Sequence, residues 1–307
     1  LQTDCLVIGT GIAGLSVASA LAEAGREVIL ISAASSVTEC NTRYAQGGIV
    51  YETGNRAPAK FIQDILEAGC HANYLPAVRQ LAEEGPELVK KILIEKARTS
   101  FDVDSGGEHS FTREGGHSET RIIHQGDQSG KAIEEAFAGY AQDLKQLRFL
   151  TSTTAVDLLM TSFHSKEDSE RHAPARCFGA FVFDQKTEEV YPIFARHCVL
   201  ATGGLGQLYL YSTNNHFSRG DGLALAYRAG CRLENLEYVQ FHPTTFYHSK
   251  SRRFLISEAL RGEGAVVVDS SGERFLQKYL GEYSVPELAP RDRVARGRLA
   301  ERTQLRG

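Results

Sequence analysis

The apolar positions of this chain change period along its length, and the changes mark out its elements. Residues Asp4–Ile8 form a short apolar run stopped by glycine, the pattern of a buried strand. From Ile12 to Ala24 the period becomes helical, with Leu15, Ala18, Leu21 and Ala22 at helical spacing and Gly25 as a closing cap. Glu27–Ser32 predicts a second strand. Strand, helix and strand in that order predict a βαβ unit, which places the helix N-terminus at the strand's carboxyl end. Amphipathic helices are predicted over Ala59–Ala68, Leu75–Glu84 and Pro86–Lys96, the last starting on a proline suited to a first helical position. Another runs from Gly130 to about Gln146, with Ile133, Ala136, Phe137 and Tyr140 on its buried face.

The middle of the chain reads differently. Arg148–Met160 is rich in β-branched residues and predicts a strand, and the polar Ser162–Arg176 predicts an exposed hairpin loop. Cys177–Phe183 and Val190–Leu200 predict a hairpin returning into the core, its second arm ending on Thr202-Gly203-Gly204. The tail from Arg291 to Arg306 carries six arginines and few apolar residues, so it need not be ordered.

Composition narrows the possibilities. At 307 residues, 42% hydrophobic and 23% charged, with a formal net charge of −4, the chain is long enough for more than one domain. That balance gives no reason to expect nucleic acid or a membrane as a partner. No apolar run approaches the roughly 18 residues of a membrane span, and no leader peptide is recognisable. The six cysteines are scattered without a CxxC pair, which argues against a structural metal site and fits free thiols in the cytoplasm.

The first chemical motif is Gly9-Thr10-Gly11-Ile12-Ala13-Gly14, lying between the first strand and its helix. The first glycine permits a tight turn, and the second lets backbone approach a pyrophosphate. The third allows close helix–strand packing, while the helix N-terminus offers amide donors. Alone, this pattern is a weak indicator of a dinucleotide, but its position strengthens it. The acid that ordinarily ends the second strand to hold a ribose is missing; Ser32-Ala33 stands there.

Further segments carry more. Glu39-Cys40-Asn41-Thr42-Arg43-Tyr44-Ala45-Gln46-Gly47-Gly48 follows the second strand, Thr202-Gly203-Gly204 ends a later one, and Gly220-Asp221-Gly222 opens a helix. These segments, in this order, resemble the succinate dehydrogenase/fumarate reductase flavoprotein superfamily, and within it the L-aspartate oxidase family most closely, from about Asp4 to about Arg296. The resemblance implies an α/β fold: a Rossmann-like FAD-binding domain over 1–236, with an inserted, truncated α+β capping domain over 237–307. It implies FAD contacts from Thr10 to Ala13 at the pyrophosphate and from Asn41 to Gly48 along the flavin and ribityl chain. Gly9, Gly11, Gly14, Ser32, Thr202, Gly203 and Asp221 complete the expected cofactor set. Asp221 has a second reading as a helix N-cap. Asn41 stands where relatives with covalent flavin carry histidine, so the FAD is expected to be non-covalent.

The resemblance also assigns a substrate side. In Thr112-Arg113-Glu114-Gly115-Gly116-His117-Ser118, Glu114 replaces an uncharged residue of the succinate and fumarate enzymes and is matched to a substrate ammonium group. His242 of Gln240-Phe241-His242-Pro243-Thr244-Thr245 is implied to grip a carboxylate. Ser257 stands in place of a substrate-binding threonine, with Glu258 orienting charged neighbours; Arg261 reads equally well as a surface ion-pair partner. Arg291, near the tail, matches an arginine that serves in proton transfer, although a carboxylate clamp is the simpler role for a group with pKa above about 12. His242, Glu114 and Arg291 are thus the expected catalytic residues.

The implied reaction is oxidation of L-aspartate to iminoaspartate, hydride passing to flavin and electrons onward to oxygen or fumarate. In the family this feeds quinolinate and NAD synthesis, with quinolinate synthase as a partner. Alternatives are a dicarboxylate dehydrogenase or fumarate reductase subunit, disfavoured by Glu114 and Asn41, and a non-catalytic flavin-binding remnant. Family members continue past this chain's last residue, and after Arg296 the sequence departs from them. The chain is therefore expected to be C-terminally incomplete and weakly active alone, with a natural short form as the other possibility.

Overall fold

In the computed structural model the described residues are 1–52, 58–248, 254–262 and 264–304, with Ala259, Thr303 and Gln304 described by backbone alone. Arg306 of the tail lies outside them. The chain divides into two units, 1–45 with 97–99 and 130–237, and 46–96 with 100–129 and 238–307.

The first unit holds β1 (Gln2–Ile8), α1 (Ile12–Glu23) and β2 (Val28–Ile31). Chain order then passes through β3 (Ile49–Val50), α2 (Ala59–Ala68), α3 (Leu75–Leu88), β4 (Phe111–Thr112) and β5 (Ile122–Ile123). It returns as α4 (Ser129–Gln142), β6 (Leu147–Leu150) and β7 (Thr153–Met160). Short helices α5 (Thr161–His164) and α6 (Asp168–His172) precede β8 (Cys177–Asp184), β9 (Glu189–Leu200) and α7 (Asp221–Arg228).

These strands build a six-stranded sheet in the order β6-β2-β1-β9-β8-β7. Its first four strands are parallel, and β9-β8-β7 is antiparallel. Strand β2 is buried throughout because it lies between neighbours with both faces covered, which its unbroken VILI run allows. Helix α1 buries Leu15, Ala18, Ser19 and Ala22, small enough for close approach to the sheet. It ends where Gly25 takes φ +76° and Arg26 N–H donates to Leu21 O at 3.0 Å.

Four expectations are corrected. The strand expected over 148–160 is two strands, because Ser152 turns to φ +54° and its amide donates to Ala34 O. That turn carries the chain from the parallel to the antiparallel part of the sheet. The loop expected over 162–176 contains α5 and α6. Pro86 does not start a helix; it sits inside α3, and the chain then winds as a π-helix over Val89–Lys96. The proline ring lacks an amide donor, and wider turns follow it. The arginine-rich tail is ordered as a helix over Arg291–Gln304.

In the second unit, residues 46–96 and 100–129, assigned to the FAD-binding domain from sequence, join 238–307. Their small sheet, β3-β5-β4, pairs Ile49 with Ile123 and Phe111 with Ile123, outside the main sheet. The later part contains α8 (Glu258–Gly262), α9 (Leu276–Tyr279) and α10 (Arg291–Gln304). Val294 is fully buried against Phe275, Leu276, Leu280 and Ala289, which anchors α10 despite its arginines.

The glycines of the first loop are under a hard constraint. Gly9 has φ +113°, and a Cβ on Gly14 would lie 1.8 Å from Gly9 O. Gly14→Ala is expected to cost about 3 kcal/mol through overpacking, read as a lowered urea midpoint. Gly139 sits in α4 with nothing within 4 Å of an added Cβ. Gly139→Ala is expected to stabilise by about 0.5 to 1 kcal/mol. Equal midpoints for the two variants would contradict the close-approach argument.

Candidate functional site

The carboxyl ends of β1, β2 and β9 are level, because Ile8 pairs with both Ile31 and Leu200. Their loops therefore leave one edge of the sheet together, the position at which open α/β sheets bind ligands. A cleft of about 420 Å³ opens there within the first unit, inside the roughly 300–1,000 Å³ range of small-molecule sites. Its walls include Gly9, Thr10, Gly11, Ile12 and Ala13, then Ser32, Asn41 and Thr42, and on the far side Thr202, Gly203 and Asp221. Gly14 lies beneath the loop in helix–strand contact, and Arg43, Tyr44 and Ala45 continue the segment behind the wall. Gln46, Gly47 and Gly48 belong to the second unit.

The loop is built to receive an anionic diphosphate. No side chain caps α1, so its first turn retains backbone donors and the positive end of the helix dipole. Ile12 N–H alone is held by a side chain, donating to Thr42 Oγ1 at 3.0 Å. Among the described residues lining the cleft there is no Lys, Arg or His; Glu39 and Asp221 are its charged members. Ser32, where a ribose-holding acid was missed, is buried, receives Thr10 Oγ1–H at 3.3 Å, and borders the cleft with its hydroxyl. Asp221 is the first residue of α7, with Gly220 before it at φ +82°, so the cap position is glycine. Its carboxylate receives Arg219 Nη2–H at 2.9 Å.

Asn41 is committed within the protein. Its Nδ2 donates to Ser218 Oγ at 2.6 Å and its Oδ1 accepts from Asn215 N at 2.7 Å. Glu39 accepts from Asn215 Nδ2 and from Tyr44 OH. Together these bonds fasten the 39–44 segment to the 215–218 loop, both of which wall the cleft.

The second unit gathers the residues expected on the substrate side. Glu114 Oε1 accepts the Gly48 amide at 2.7 Å, joining the two glycine motifs. Beside it, Gly115 leaves room for Glu258: a Cβ there would lie 2.2 Å from Glu258 Oε1. Glu258 Oε2 receives Arg291 Nε–H at 2.9 Å and faces Arg261 Nη2 at 3.7 Å. Arg291 Nη1 donates to Gln240 Oε1 at 2.9 Å. His242 Nδ1 bonds Thr244 O at 2.7 Å. Burial and the Arg291 and Arg261 charges push its pKa down, against the hydrogen bond to Thr244 and the Glu258 charge. Ser257 immediately precedes α8 and Glu258.

Three features were not assigned from sequence. Arg261, read there as equally well a surface ion-pair partner, is 3% exposed, and its Nη1 donates to Glu287 O. Its Nε and Nη2 lack hydrogen-bond partners. The buried Asp64 takes Ser118 N–H at 2.9 Å and Arg121 Nη1 at 2.9 Å, fixing the loop that carries Glu114. Glu134, on α4, is fully buried in the first unit. A charge falling on the stripe formed by Ile133, Phe137 and Ala141 was its visible signal in the sequence.

Among the described residues no helix is long and apolar enough to cross a membrane. No group of three or more His, Cys, Asp or Glu among them is placed to hold a metal ion.

Comparison with known proteins agrees with this geometry. An L-aspartate oxidase of Acinetobacter baylyi is 40% identical over 296 residues, covering 95% of this chain and 52% of the relative. One of Vibrio cholerae is 40% identical over 300 residues, covering 96% of this chain and 54% of the relative. The chain thus spans about half the length of the curated relatives it matches. Among solved structures, an E. coli quinol fumarate reductase superposes with TM-score 0.85 at 25% identity, over 99% of this chain and 51% of that one. Mycobacterium smegmatis Sdh1 gives 0.78 at 28% identity, over 97% and 49%. The model of the FAD binding domain family matches residues 4–306, so the chain belongs to that family and its cofactor is FAD.

Proposed function

We propose that this chain carries the cofactor and substrate residues of an L-aspartate oxidase, which converts L-aspartate to iminoaspartate. The carrying observation is the set of relatives so named, 36% to 40% identical across about 95% of the chain. Oxygen or fumarate takes the electrons, and the reaction is the first step of NAD synthesis through quinolinate, with quinolinate synthase as downstream partner in the cytoplasm. The FAD is held without a covalent bond: Asn41, at the position matched to a flavin-linked histidine, has no nucleophile to offer.

The bound flavin supplies the two-electron acceptor for the substrate's Cα–H bond. Cofactor contacts fall to Gly9–Gly14, Ser32, Asn41–Gly48, Thr202, Gly203 and Asp221. The rest of the work is positioning and electrostatics. Arg291, aimed by Glu258 and Gln240 through two of its nitrogens, clamps a substrate carboxylate. His242 and the Ser257 hydroxyl hold the carboxylates alongside it. Glu114, with one oxygen spent on the Gly48 amide, offers its other to the α-ammonium. A dicarboxylate lacking that ammonium leaves Glu114 an unpaired anion, which disfavours succinate.

Anaerobic mixing of the FAD-loaded protein with L-aspartate is expected to bleach the flavin, whereas succinate is expected to leave it oxidised. Bleaching by succinate in preference to aspartate would reject the aspartate reading in favour of a dicarboxylate dehydrogenase. In Glu114→Gln, aspartate affinity from flavin spectral titration is expected to drop by about 1.5–3 kcal/mol, the worth of a hydrogen bond to a charge. Succinate affinity should hold or rise; a parallel loss for both ligands would make Glu114 merely structural. The lowered pKa of His242 sets a third expectation. A carboxylate ligand favours the imidazolium and raises that pKa, so succinate binding is strong at low pH and weakens as pH rises through the bound-state pKa. His242→Asn should flatten that dependence, and an unchanged slope would remove His242 from the anion site.

A further inference from the structure

A buried acid lies behind the dinucleotide loop. Gly130, at the head of α4, approaches so closely that a Cβ would lie 2.0 Å from Thr42 O, and its amide donates to Ala45 O at 2.9 Å. This contact presses the first turn of α4 onto the 42–45 backbone. One turn later Glu134 is completely buried, its carboxylate short of well-aligned donors, with the Cys40 thiol and the Thr42 hydroxyl close enough to favour its ionised form in part while burial opposes it more strongly. The groups facing it from the packed segment are the Cys40 thiol, the Thr42 hydroxyl and the Arg43 charge. Arg43 is itself engaged, its Nη1 donating to Glu135 Oε1 at 2.7 Å. Lys131 and Glu135 are the neighbouring charges on α4 itself.

Thr42 and Cys40 both wall the cleft, and Thr42 Oγ1 is the acceptor that holds Ile12 N–H at the head of α1. Glu134 therefore stands one side chain away from the amides that receive the FAD diphosphate. We propose that Glu134 is a positioning residue for the cofactor, acting as a neutral acid whose proton lets the Thr42–Ile12 contact and the α1 N-terminus accept the diphosphate. An ionised Glu134 would set a second anion behind the same amides, with no cation lining the cleft to offset it. Burial raises its pKa to about 7, so its charge changes near neutrality. The Cys40 thiol beside it is pushed up to about 11 and stays protonated there.

The inference rests on FAD being the ligand of this cleft. Cofactor binding must raise the Glu134 pKa further, so FAD binding draws protons from solvent near neutral pH, about half a proton per FAD at about pH 7.5 for a one-unit rise. FAD is titrated into the flavin-free chain from about pH 6 to about pH 8, with quenching of flavin fluorescence giving Kd at each pH. A one-unit rise in pKa weakens affinity about fivefold over that range. In Glu134→Gln, affinity at about pH 8 should match the wild-type value at about pH 6, with no slope. A flat wild-type profile, or a slope surviving in Glu134→Gln, overturns the proposal. Should that variant not fold, proton uptake by the wild-type chain on FAD binding at about pH 7.5 decides: net uptake supports it and none overturns it. A chain that takes up no FAD at any pH overturns the cofactor assignment itself, an outcome distinct from a flat profile.

Discussion

The first unit depends on the register that sets Ile8 level with Ile31 on one side and Leu200 on the other. Parallel strands in that register deliver the Gly9, Ser32 and Ala201 loops to one sheet edge, where each becomes a wall of the same cleft. The register in turn requires α1 to return tightly over β1. Backbone is the only thing that fits between them: Gly14 lies where a Cβ would meet Gly9 O at 1.8 Å, and a Cβ on Gly9 would meet Ala201 O at 2.3 Å. A pyrophosphate loop is thus the by-product of a packing problem solved with glycine. The amides left exposed at the head of the helix are the ones the cofactor can use.

Charge organises the second unit. Glu258 receives Arg291 and faces Arg261, while Glu287 takes Arg274 through both oxygens and Arg261 through its carbonyl. Buried ion pairs repay their desolvation only when geometry and extra hydrogen bonds are good. Here the orientation they enforce is the useful product. Arg291 is fixed by two acceptors, so less side-chain freedom would be lost in the carboxylate binding proposed for it. Asp64 does the same for the Glu114 loop through Ser118 and Arg121.

What was legible in the sequence was local. The β1–α1–β2 unit could be read because period, glycine and apolar run all agree within about thirty residues. Ser152 could not, since nothing local asks a serine to adopt φ +54°; the Ala34 carbonyl, more than a hundred residues away in sequence, does. By composition the α10 tail need not be ordered, yet one fully buried valine, Val294, orders it through contacts no period reveals. Arg261 looked like a surface partner because arginine usually is one. Its burial follows from Glu287 arriving from elsewhere in the second unit, beside the Glu258 one turn back on its own helix. Glu134 had a signal, an acid on an apolar stripe, but its meaning depends on Gly130 docking against Thr42.

The two units are suited to anions by different physics, and each way suits the ligand proposed for it. The cleft of the first unit has no lining Lys, Arg or His among the described residues, so a diphosphate bound there would be held by peptide dipoles and hydroxyls. Dipoles act within the first turn of a helix and fade quickly beyond it, which makes such a site sensitive to any anion placed just behind it. Glu134 is such a group, while Glu39 and Asp221 line the cleft and are answered by protein contacts: Asn215 and Tyr44 for Glu39, Arg219 for Asp221. Glu134 is faced by the Cys40 thiol, the Thr42 hydroxyl and the Arg43 charge, and burial outweighs them. The second unit instead offers full guanidinium charges, which attract a carboxylate at longer range and tolerate Glu258 and Glu287 because those acids are already paired. A cofactor that stays bound needs shape and dipoles; a substrate that exchanges with every turnover needs charge that is already in place.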